Sequence, residues 1–254
     1  MAVHDFNAQR LYVEADLAVD GEIAVSRDQA NYLLNVLRLA EGSAILVFNG
    51  RDGEWKARLA SVSKRTCTLR LIEQTRPQTG HPSLTYLFAP LKRARLDYMV
   101  QKAVEMGVGR LAPVLTRRTV AERVNLDRMR ANALEAAEQC GILSLPVIDE
   151  PTTLPAVLTR WPSQQPLIFC DESAPPGGPL SALEELRARM AASPARPDVG
   201  VLVGPEGGFD PAEREAILKY PSAIAISLGP RIMRADTAAV AALAVVNAVL
   251  GDWR

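Results

Sequence analysis

The sequence predicts an α/β protein with a small β-rich N-terminal domain and a larger domain built around a mostly parallel sheet. Three observations support this prediction. Short β-like runs with turn signals occupy the first 73 residues, a Pro- and Gly-containing segment follows, and apolar strands then alternate with helix-periodic segments. With 254 residues and 48% hydrophobic content, the chain can bury one large core or two modest ones.

Residues 1–73 are expected to form a domain of short strands with one helix. Ser26 and Gln29 have the spacing of a capping box at a helix start, and Gly42 is placed to end the helical region. A Gly-containing loop at residues 49–53 lies between two apolar runs and predicts a β-hairpin. The expected strands are residues 10–15, 22–25, 44–48, 55–59 and 66–72.

Residues 74–83 read QTRPQTGHPS and have no sustained apolar pattern, so they are predicted to be a linker. Residues 84–254 then alternate between strand and helix, which is typical of a parallel sheet covered by helices. The apolar stretch 238–250 is too short to cross a bilayer and predicts a buried helix. Another helix should bury one face made of Leu96, Met99, Val100, Ala103 and Val104.

The charge is balanced overall but uneven along the chain. Lys and Arg total 29, as do Asp and Glu, which argues against binding of the whole surface to nucleic acid or membrane. Residues 81–130 nevertheless carry 10 basic and 4 acidic side chains, whereas residues 131–254 carry 9 and 15. The basic block is compatible with a local phosphate-contacting surface and equally with ordinary solvated charge.

Cysteine and histidine usage argues against a metal site and against export. Cys67, Cys140 and Cys170 are widely separated, and His4 and His81 have no metal-ligand spacing. The N-terminal residues MAVHDFNAQR lack an apolar signal segment. We therefore expect no metal, reduced thiols and a cytoplasmic protein.

Two glycine-containing loops each follow an apolar strand and precede a helix, which is where an open α/β sheet binds its ligand. The first is GPEGGF at 204–209, followed by a predicted capping box of Asp210 and Glu213. The second, SLGPRIMRADT at 227–237, contains two arginines. Either loop could be only a tight turn, and neither matches a nucleotide-phosphate motif. The arginines could bind an anionic or substrate group, or bridge to Asp236 or Glu206.

Four segments, in this order and spacing, resemble the RsmE family of the SPOUT methyltransferase superfamily: residues 91–120, 135–140, 204–209 and 228–238. Residues 31–59 resemble that family's PUA-like RNA-binding module. The resemblance therefore spans nearly the whole chain. It implies a SPOUT-type parallel sheet with a C-terminal trefoil knot, a rare exception to the rule against knotted chains. It also implies a homodimer, although helix 238–250 could instead be intramolecular core.

The activity that the resemblance implies is S-adenosylmethionine-dependent methylation of N3 of a specific uridine in the 16S rRNA of the small ribosomal subunit. The methyl donor should lie in the knot, largely against main chain. The residues that would bind it are Leu202, Gly204, Pro205, Gly207, Leu228, Gly229, Ile232, Met233 and Arg234.

Uracil N3–H is a weak acid, so its methylation is helped by removing that proton or by stabilising the negative charge that develops. We hypothesise that Arg234 or Arg231 stabilises this charge, and that Asp236 or Glu206 takes the proton or orients the arginine. Positioning and charge compensation could also suffice without a dedicated base. Asp236 stands where the family commonly has the longer Glu.

The substrate RNA is expected to contact basic side chains through its phosphates. The candidates are Arg10 and Arg38 in the N-terminal domain, and Lys92, Arg93, Arg95, Arg117 and Arg118 in the larger domain. Two alternatives remain open. One is a related SPOUT enzyme that acts on another rRNA or tRNA position. The other is a catalytically idle RNA-binding protein of ribosome assembly.

Overall fold

The computed structural model of the protein describes residues 8–121, 123–174, 178–192 and 197–253. The chain separates into two compact units. The first comprises Met1–Gly80 together with Ala137–Leu145, and the second comprises His81–Ala136 together with Pro146–Arg254. Each unit has its own sheet.

The described residues of the first unit form a five-stranded sheet in the order β1-β3-β4-β5-β2. β1 runs parallel to β3, and the remaining neighbours are antiparallel. A helix, α1 (Arg27–Asn31), continues into a π-helical turn at Tyr32–Val36. The strands are β1 (Arg10–Tyr12), β2 (Glu22–Ala24), β3 (Ala44–Phe48), β4 (Glu54–Ala60) and β5 (Thr68–Arg76).

Alternating burial along these strands builds the core of the first unit. Trp55, Ala57 and Leu59 of β4 are buried, with Leu69 and Leu71 of β5 beside them, because every second side chain points to the same face. The predicted capping box is confirmed at α1. Ser26 Oγ accepts from the Gln29 backbone N–H, and the Gln29 side chain accepts from the Ser26 backbone N–H.

A buried ion cluster joins the sheet of the first unit to its segment 137–145. The Glu54 carboxylate accepts hydrogen bonds from Arg10 and Arg76 at 2.9 Å. Arg10 also donates to the carbonyls of Ala137 and Glu138, at 2.6 and 3.0 Å, and lies over the Phe48 ring. The Arg10 side chain is 7% exposed. Its predicted role as an RNA contact is therefore wrong, because its donors are committed to the fold.

The second unit is an α/β structure whose strands run in the order β12-β10-β11-β6-β7-β8, all parallel, with β9 pairing β7. The strands are β6 (Leu84–Phe88), β7 (Arg110–Leu115), β8 (Val147–Ile148), β9 (Thr152–Thr153), β10 (Leu167–Cys170), β11 (Val199–Val203) and β12 (Ala223–Ile226). The helices are α2 (Arg93–Glu105), α3 (Leu126–Gln139), α4 (Leu154–Arg160), α5 (Pro179–Ala191), α6 (Pro211–Leu218) and α7 (Ala235–Leu250). The last three residues of α3 belong to the segment that clusters with the first unit. The predicted parallel sheet with helices is confirmed; the trefoil knot stays a prediction.

Helix burial in the second unit follows the sequence pattern. All five residues predicted to form the inner face of α2 are buried. α7 begins at Ala235, three residues before the predicted start, because the Arg234 carbonyl accepts from the Ala238 backbone N–H at 2.8 Å. Among the described residues, no helix has the length and apolar character needed to span a membrane.

The boundary between the units differs from the prediction in two respects. The predicted linker 74–83 is strand at its first three residues, because Gln74 and Arg76 pair with Trp55 and Glu54 of β4. In addition, Ala137–Leu145 clusters with the first unit, so neither unit is a single stretch of sequence. Nothing in the local sequence marks that segment as belonging to a β-rich unit.

Candidate active site

Three neighbouring strands of the second unit, β12, β10 and β11, end at the same edge of the sheet. Residues 171–174 follow β10, residues 204–210 follow β11 and residues 227–234 follow β12. These loops meet around a cavity of about 340 Å³. That volume lies within the range of small-molecule sites, about 300–1,000 Å³. The position is the ligand edge expected of an open α/β sheet.

The cavity brings together most of the residues predicted to bind the methyl donor. Leu202 is instead fully buried in the core, and Gly207 and Arg234 are not among the lining residues. The predicted donor-binding residues that do line it are Gly204, Pro205, Leu228, Gly229, Ile232 and Met233. Glu206 and Arg231, which were predicted to take part in catalysis, line it as well. Among the described residues, no group of His, Cys, Asp and Glu has the arrangement of a metal site.

Sequence reasoning missed the part of the lining that follows β10. Cys170, Asp171, Glu172, Ser173 and Ala174 face the cavity. A signal for them existed, because Cys170 ends an apolar strand of the same parallel sheet and residues 171–174 directly follow it. They carry no glycine pattern, however, and only the strand order places β10 between β11 and β12.

The first glycine loop is shaped by close packing and by one turn. A Cβ at Gly204 would lie 2.5 Å from the Phe209 ring, which itself packs edge-on against Phe169 at a centroid distance of 5.2 Å. Gly208 has φ +68° and donates its N–H to the Pro205 carbonyl at 2.9 Å. Glycine is therefore required at position 204 by close approach and at position 208 by backbone conformation.

The predicted capping box anchors the end of this loop to α6. The Asp210 side chain accepts from the Ala212 N–H at 3.0 Å, and Glu213 accepts from the Asp210 N–H at 3.2 Å. Glu213 is buried and also accepts from the Arg117 N–H at 2.9 Å. Pro211 occupies the first turn, where its missing N–H costs nothing.

An ion pair forms one polar side of the cavity. Asp171 is buried and accepts from the Arg214 guanidinium at 2.8 and 3.1 Å, and from the Ser173 N–H at 3.0 Å. The hydrogen bond to Asp171 raises the pKa of Arg214 above its usual value. The pair fixes α6 relative to the loop after β10.

Two other titratable groups of the parallel sheet, on β10 and β6, are unsuited to nucleophilic or acid–base work. Burial raises the pKa of the Cys170 thiol to about 12, so the thiol stays protonated near neutral pH. Burial also raises the pKa of Tyr86 well above its usual value, and the Tyr86 hydroxyl contacts Met99 Sδ at 3.3 Å. The candidate chemistry therefore rests on the arginines and carboxylates.

The second loop presents two exposed guanidinium groups. Arg231 lines the cavity and Arg234 precedes α7. In the described parts of the chain, neither side chain makes an ion pair, so the predicted alternative of a bridge to Asp236 or Glu206 is not observed. Asp236 accepts from the Thr237 N–H at 2.8 Å in the first turn of α7. Both arginines are available to a ligand.

The basic residues predicted to contact RNA separate into two groups in the second unit. Arg95 pairs with Glu206, Arg117 pairs with Asp210 at 2.7 Å, and Arg118 donates to the Gly207 carbonyl at 2.8 Å. Lys92 and Arg93 are exposed at the start of α2. In the first unit, Arg38 is likewise exposed.

Family models match both parts of the chain. Residues 79–247 match the model described as an RNA methyltransferase domain, and residues 25–72 match the RNA methyltransferase PUA domain. The parallel sheet with its loop-built cavity lies in the first match, and most of the β-rich unit's sheet lies in the second. The class of protein is therefore an RNA methyltransferase with a PUA domain.

Comparison with individual proteins narrows the class. Ribosomal RNA small subunit methyltransferase E of Rickettsia conorii is 31% identical over 239 residues, which cover 94% of each chain. The Bacillus subtilis protein of the same name is 27% identical over 234 residues, covering 88% of this chain and 89% of the relative. The crystal structure of the Neisseria gonorrhoeae protein of that name, bound to S-adenosyl methionine, has a TM-score of 0.83 and 25% identity, covering 98% of this chain and 100% of that one. The chain belongs to the RsmE family, that of ribosomal RNA small subunit methyltransferase E.

Proposed function

We propose that this protein transfers the methyl group of S-adenosylmethionine to N3 of a specific uridine in the 16S rRNA of the small ribosomal subunit. One observation carries the proposal: a cavity built from loop main chain has the exposed guanidinium groups of Arg231 and Arg234 at and beside its wall. Membership of the RsmE family supports the substrate class. The methyl donor bound to the Neisseria gonorrhoeae relative supports the cofactor.

The lining residues suit S-adenosylmethionine, which supplies an electrophilic methyl group when bound. The main chain of Gly204, Pro205 and Gly229 offers polar groups at close approach, because two of these residues have no side chain. Leu228 and Met233 add apolar surface suited to a base ring, and Asp171 with Arg214 offers a charged side. These residues would hold the methyl donor.

The proposed chemistry assigns charge compensation to the arginines and proton handling to a carboxylate. Removal of the N3 proton builds negative charge on the base, and a positioned guanidinium stabilises that charge. Attack of N3 on the methyl carbon then forms the N–CH₃ bond as the sulfonium C–S bond breaks, and neutral S-adenosylhomocysteine leaves. Glu206 is already paired with Arg95. Asp236 forms no ion pair with a described Lys or Arg, which favours Asp236 as the proton acceptor or as the group that orients Arg234.

Single-turnover methyl transfer on 16S rRNA tests these roles. Arg234→Ala and Arg231→Ala are each compared with wild type, and Asp236→Asn removes the carboxylate charge at the same size. Loss of a stabilising donor should slow transfer by about 100-fold. Arg110→Ala is the matched control, because Arg110 lies at the amino end of β7 and pairs with Asp149. Near-normal rates in Arg234→Ala and Asp236→Asn would remove these two assignments.

Mass mapping of methylated nucleosides identifies the target. Ribosomal RNA from cells with and without this protein should differ by one N3-methyluridine in 16S rRNA. A methyl group lost at another rRNA or tRNA position would favour the related-enzyme alternative. S-adenosylmethionine binding without any methyl transfer would favour the idle RNA-binding protein.

We also propose a cytoplasmic homodimer. α7 contains no Lys or Arg, and eight of its residues are buried within the unit. Val240, Ala241, Ala244 and Val245 are only partly buried, which leaves apolar surface for a second copy. Sedimentation equilibrium should give twice the mass of 27.5 kDa, and a monomer at all concentrations would contradict the proposal.

A further inference from the structure

We infer that Arg95 and Arg118 are positioning residues that hold the glycine loop 204–208 in place as a wall of the cofactor cavity, and that they do not serve as RNA phosphate contacts. The inference rests on the proposed function, since it assigns these residues a role in binding the methyl donor. It departs from the sequence-based prediction, which placed both guanidinium groups on RNA.

The loop has two sides because of the strand order. β11 lies between β10 and β6, and β7 lies beyond β6. On the side of β10 and β12, the loop lines the cavity. On the other side it meets the residues that follow β6 and β7, which are Arg95 in the first turn of α2 and the turn at 116–119.

Two consecutive loop residues are held from that other side. Arg118 Nη1 donates to the Gly207 carbonyl at 2.8 Å, and Arg95 forms an ion pair with Glu206. A Cβ at Gly207 would lie 3.7 Å from Arg118 Cδ, so the arginine stem runs along the loop backbone at van der Waals distance. Both groups of the ion pair are about half exposed, 42% and 46%.

The segment that carries Arg118 is itself fixed. Thr119 donates its N–H to the Thr116 carbonyl at 3.1 Å, and its hydroxyl accepts from the Thr116 N–H at 2.8 Å. The Arg117 backbone N–H donates to buried Glu213, and the Arg117 side chain forms an ion pair with Asp210. Arg118 therefore extends from a turn that is fixed by hydrogen bonds, so its side chain can restrain the glycine loop 204–208.

This restraint bears on ligand binding because the held residues form the cavity wall. Gly204, Pro205, Glu206 and Gly208 line the cavity, and the loop contains one internal turn bond, from Gly208 to Pro205. Glycine-rich backbone loses much conformational entropy when it is ordered. Side chains that order the loop in advance reduce the entropic cost of ordering it when the ligand binds.

Arg93 provides the contrast within the same helix turn. It is exposed and, among the described residues, forms no ion pair, so its guanidinium can meet an RNA phosphate. Arg95, two residues later, is engaged with Glu206. Neutralising each in turn therefore separates a positioning role from an RNA contact at nearly the same place.

The test measures the affinity of the full-length protein for S-adenosylmethionine by calorimetry and for 16S rRNA fragments by filter binding. Arg95→Gln and Arg118→Gln should each weaken S-adenosylmethionine binding about three- to tenfold and leave RNA affinity within about twofold. Arg93→Gln should weaken RNA binding and leave the affinity for S-adenosylmethionine unchanged. In steady-state assays, KM for the methyl donor should rise while kcat at saturating donor is largely retained. Arg118→Lys keeps a donor and should recover part of the affinity.

Several results would overturn the inference. Weaker RNA binding with unchanged donor affinity in Arg95→Gln and Arg118→Gln would make both residues RNA contacts. Loss of both affinities together with a lower melting temperature would indicate a general structural role. Failure of the wild-type protein to bind S-adenosylmethionine is a different outcome, because it would remove the proposed function itself.

Discussion

At the scale of single residues, Gly204 shows how one missing side chain permits the cavity. Phe209 lies where a Cβ at position 204 would project, and that ring packs against Phe169 at the end of β10. The first glycine loop can therefore pass close to the sheet edge only because position 204 has no Cβ.

The substitution Gly204→Ala tests this packing. The new methyl group must displace the Phe209 ring, and overpacking of this kind costs about 1–3 kcal/mol. We expect a lower free energy of unfolding in urea, together with weaker S-adenosylmethionine binding. Gly80→Ala is the control, because a Cβ there meets nothing within 4 Å. Equal stability of the two variants would contradict the packing argument.

At the scale of secondary-structure elements, the cluster of Arg10, Glu54 and Arg76 connects β1, β4 and β5 to residues 137–142 of the same unit. The substitution Arg10→Ala removes one of the two arginines that pair with the buried Glu54 carboxylate. Removing one partner of a buried pair costs about 3–5 kcal/mol. We expect a loss of that order in chemical unfolding of the full-length protein.

The matched control for Arg10→Ala is Arg70→Ala. Arg70 is on β5 and pairs with Asp20 at 3.8 Å, but both side chains are largely exposed. Surface pairs contribute about 0–1 kcal/mol, so this variant should be nearly as stable as wild type. Comparable losses of stability in the two variants would show that the buried cluster stabilises the fold no more than an exposed ion pair does.

The same cluster predicts how stability depends on pH. Desolvation by burial opposes ionisation of Glu54, but the hydrogen bonds and charges of Arg76, Thr75 and Arg10 together lower its pKa below the usual 4.5. A depressed carboxyl pKa contributes stability above the unfolded-state pKa, and this is lost as the pH falls through the folded-state pKa. Below about pH 4.5 the wild type should therefore lose stability more steeply than Glu54→Gln. Parallel pH profiles of the two proteins would contradict the assignment.

At the scale of the whole molecule, balanced charge and local basicity together predict how RNA affinity responds to salt. Exposed Arg38, Lys92 and Arg93 are the predicted phosphate contacts that the structure leaves uncommitted. Each phosphate neutralised on single-stranded RNA contributes about −0.7 to the slope of log K against log salt. We expect a steep slope that becomes shallower by about that amount in Arg93→Gln. A flat salt dependence in the wild type would count against binding led by phosphates.

Sequence reasoning succeeded where the determining interactions are local. The run Val199–Val203 is apolar throughout because a central parallel strand is covered on both faces, and the structure buries all five residues. The capping boxes at Ser26 and Asp210 depend on residues three positions apart and were predicted directly.

Interactions between distant residues were not predictable in this way. Arg10 resembles a surface charge until the carbonyls of Ala137 and Glu138 are brought to it, more than 120 positions along the chain. Likewise, Arg95 and Glu206 are 111 positions apart. A single sequence shows which residues carry charge but not which charges meet.

The assignment of residues 137–145 to the first unit has a consequence for anyone who wishes to move or express that unit alone. A fragment that stops at residue 80 retains Arg10 and Arg76 but lacks the carbonyls of Ala137 and Gly141 to which they donate. The PUA-like module therefore cannot be obtained complete as one continuous fragment of the chain. To express this unit alone, residues 137–145 would have to be fused after residue 80.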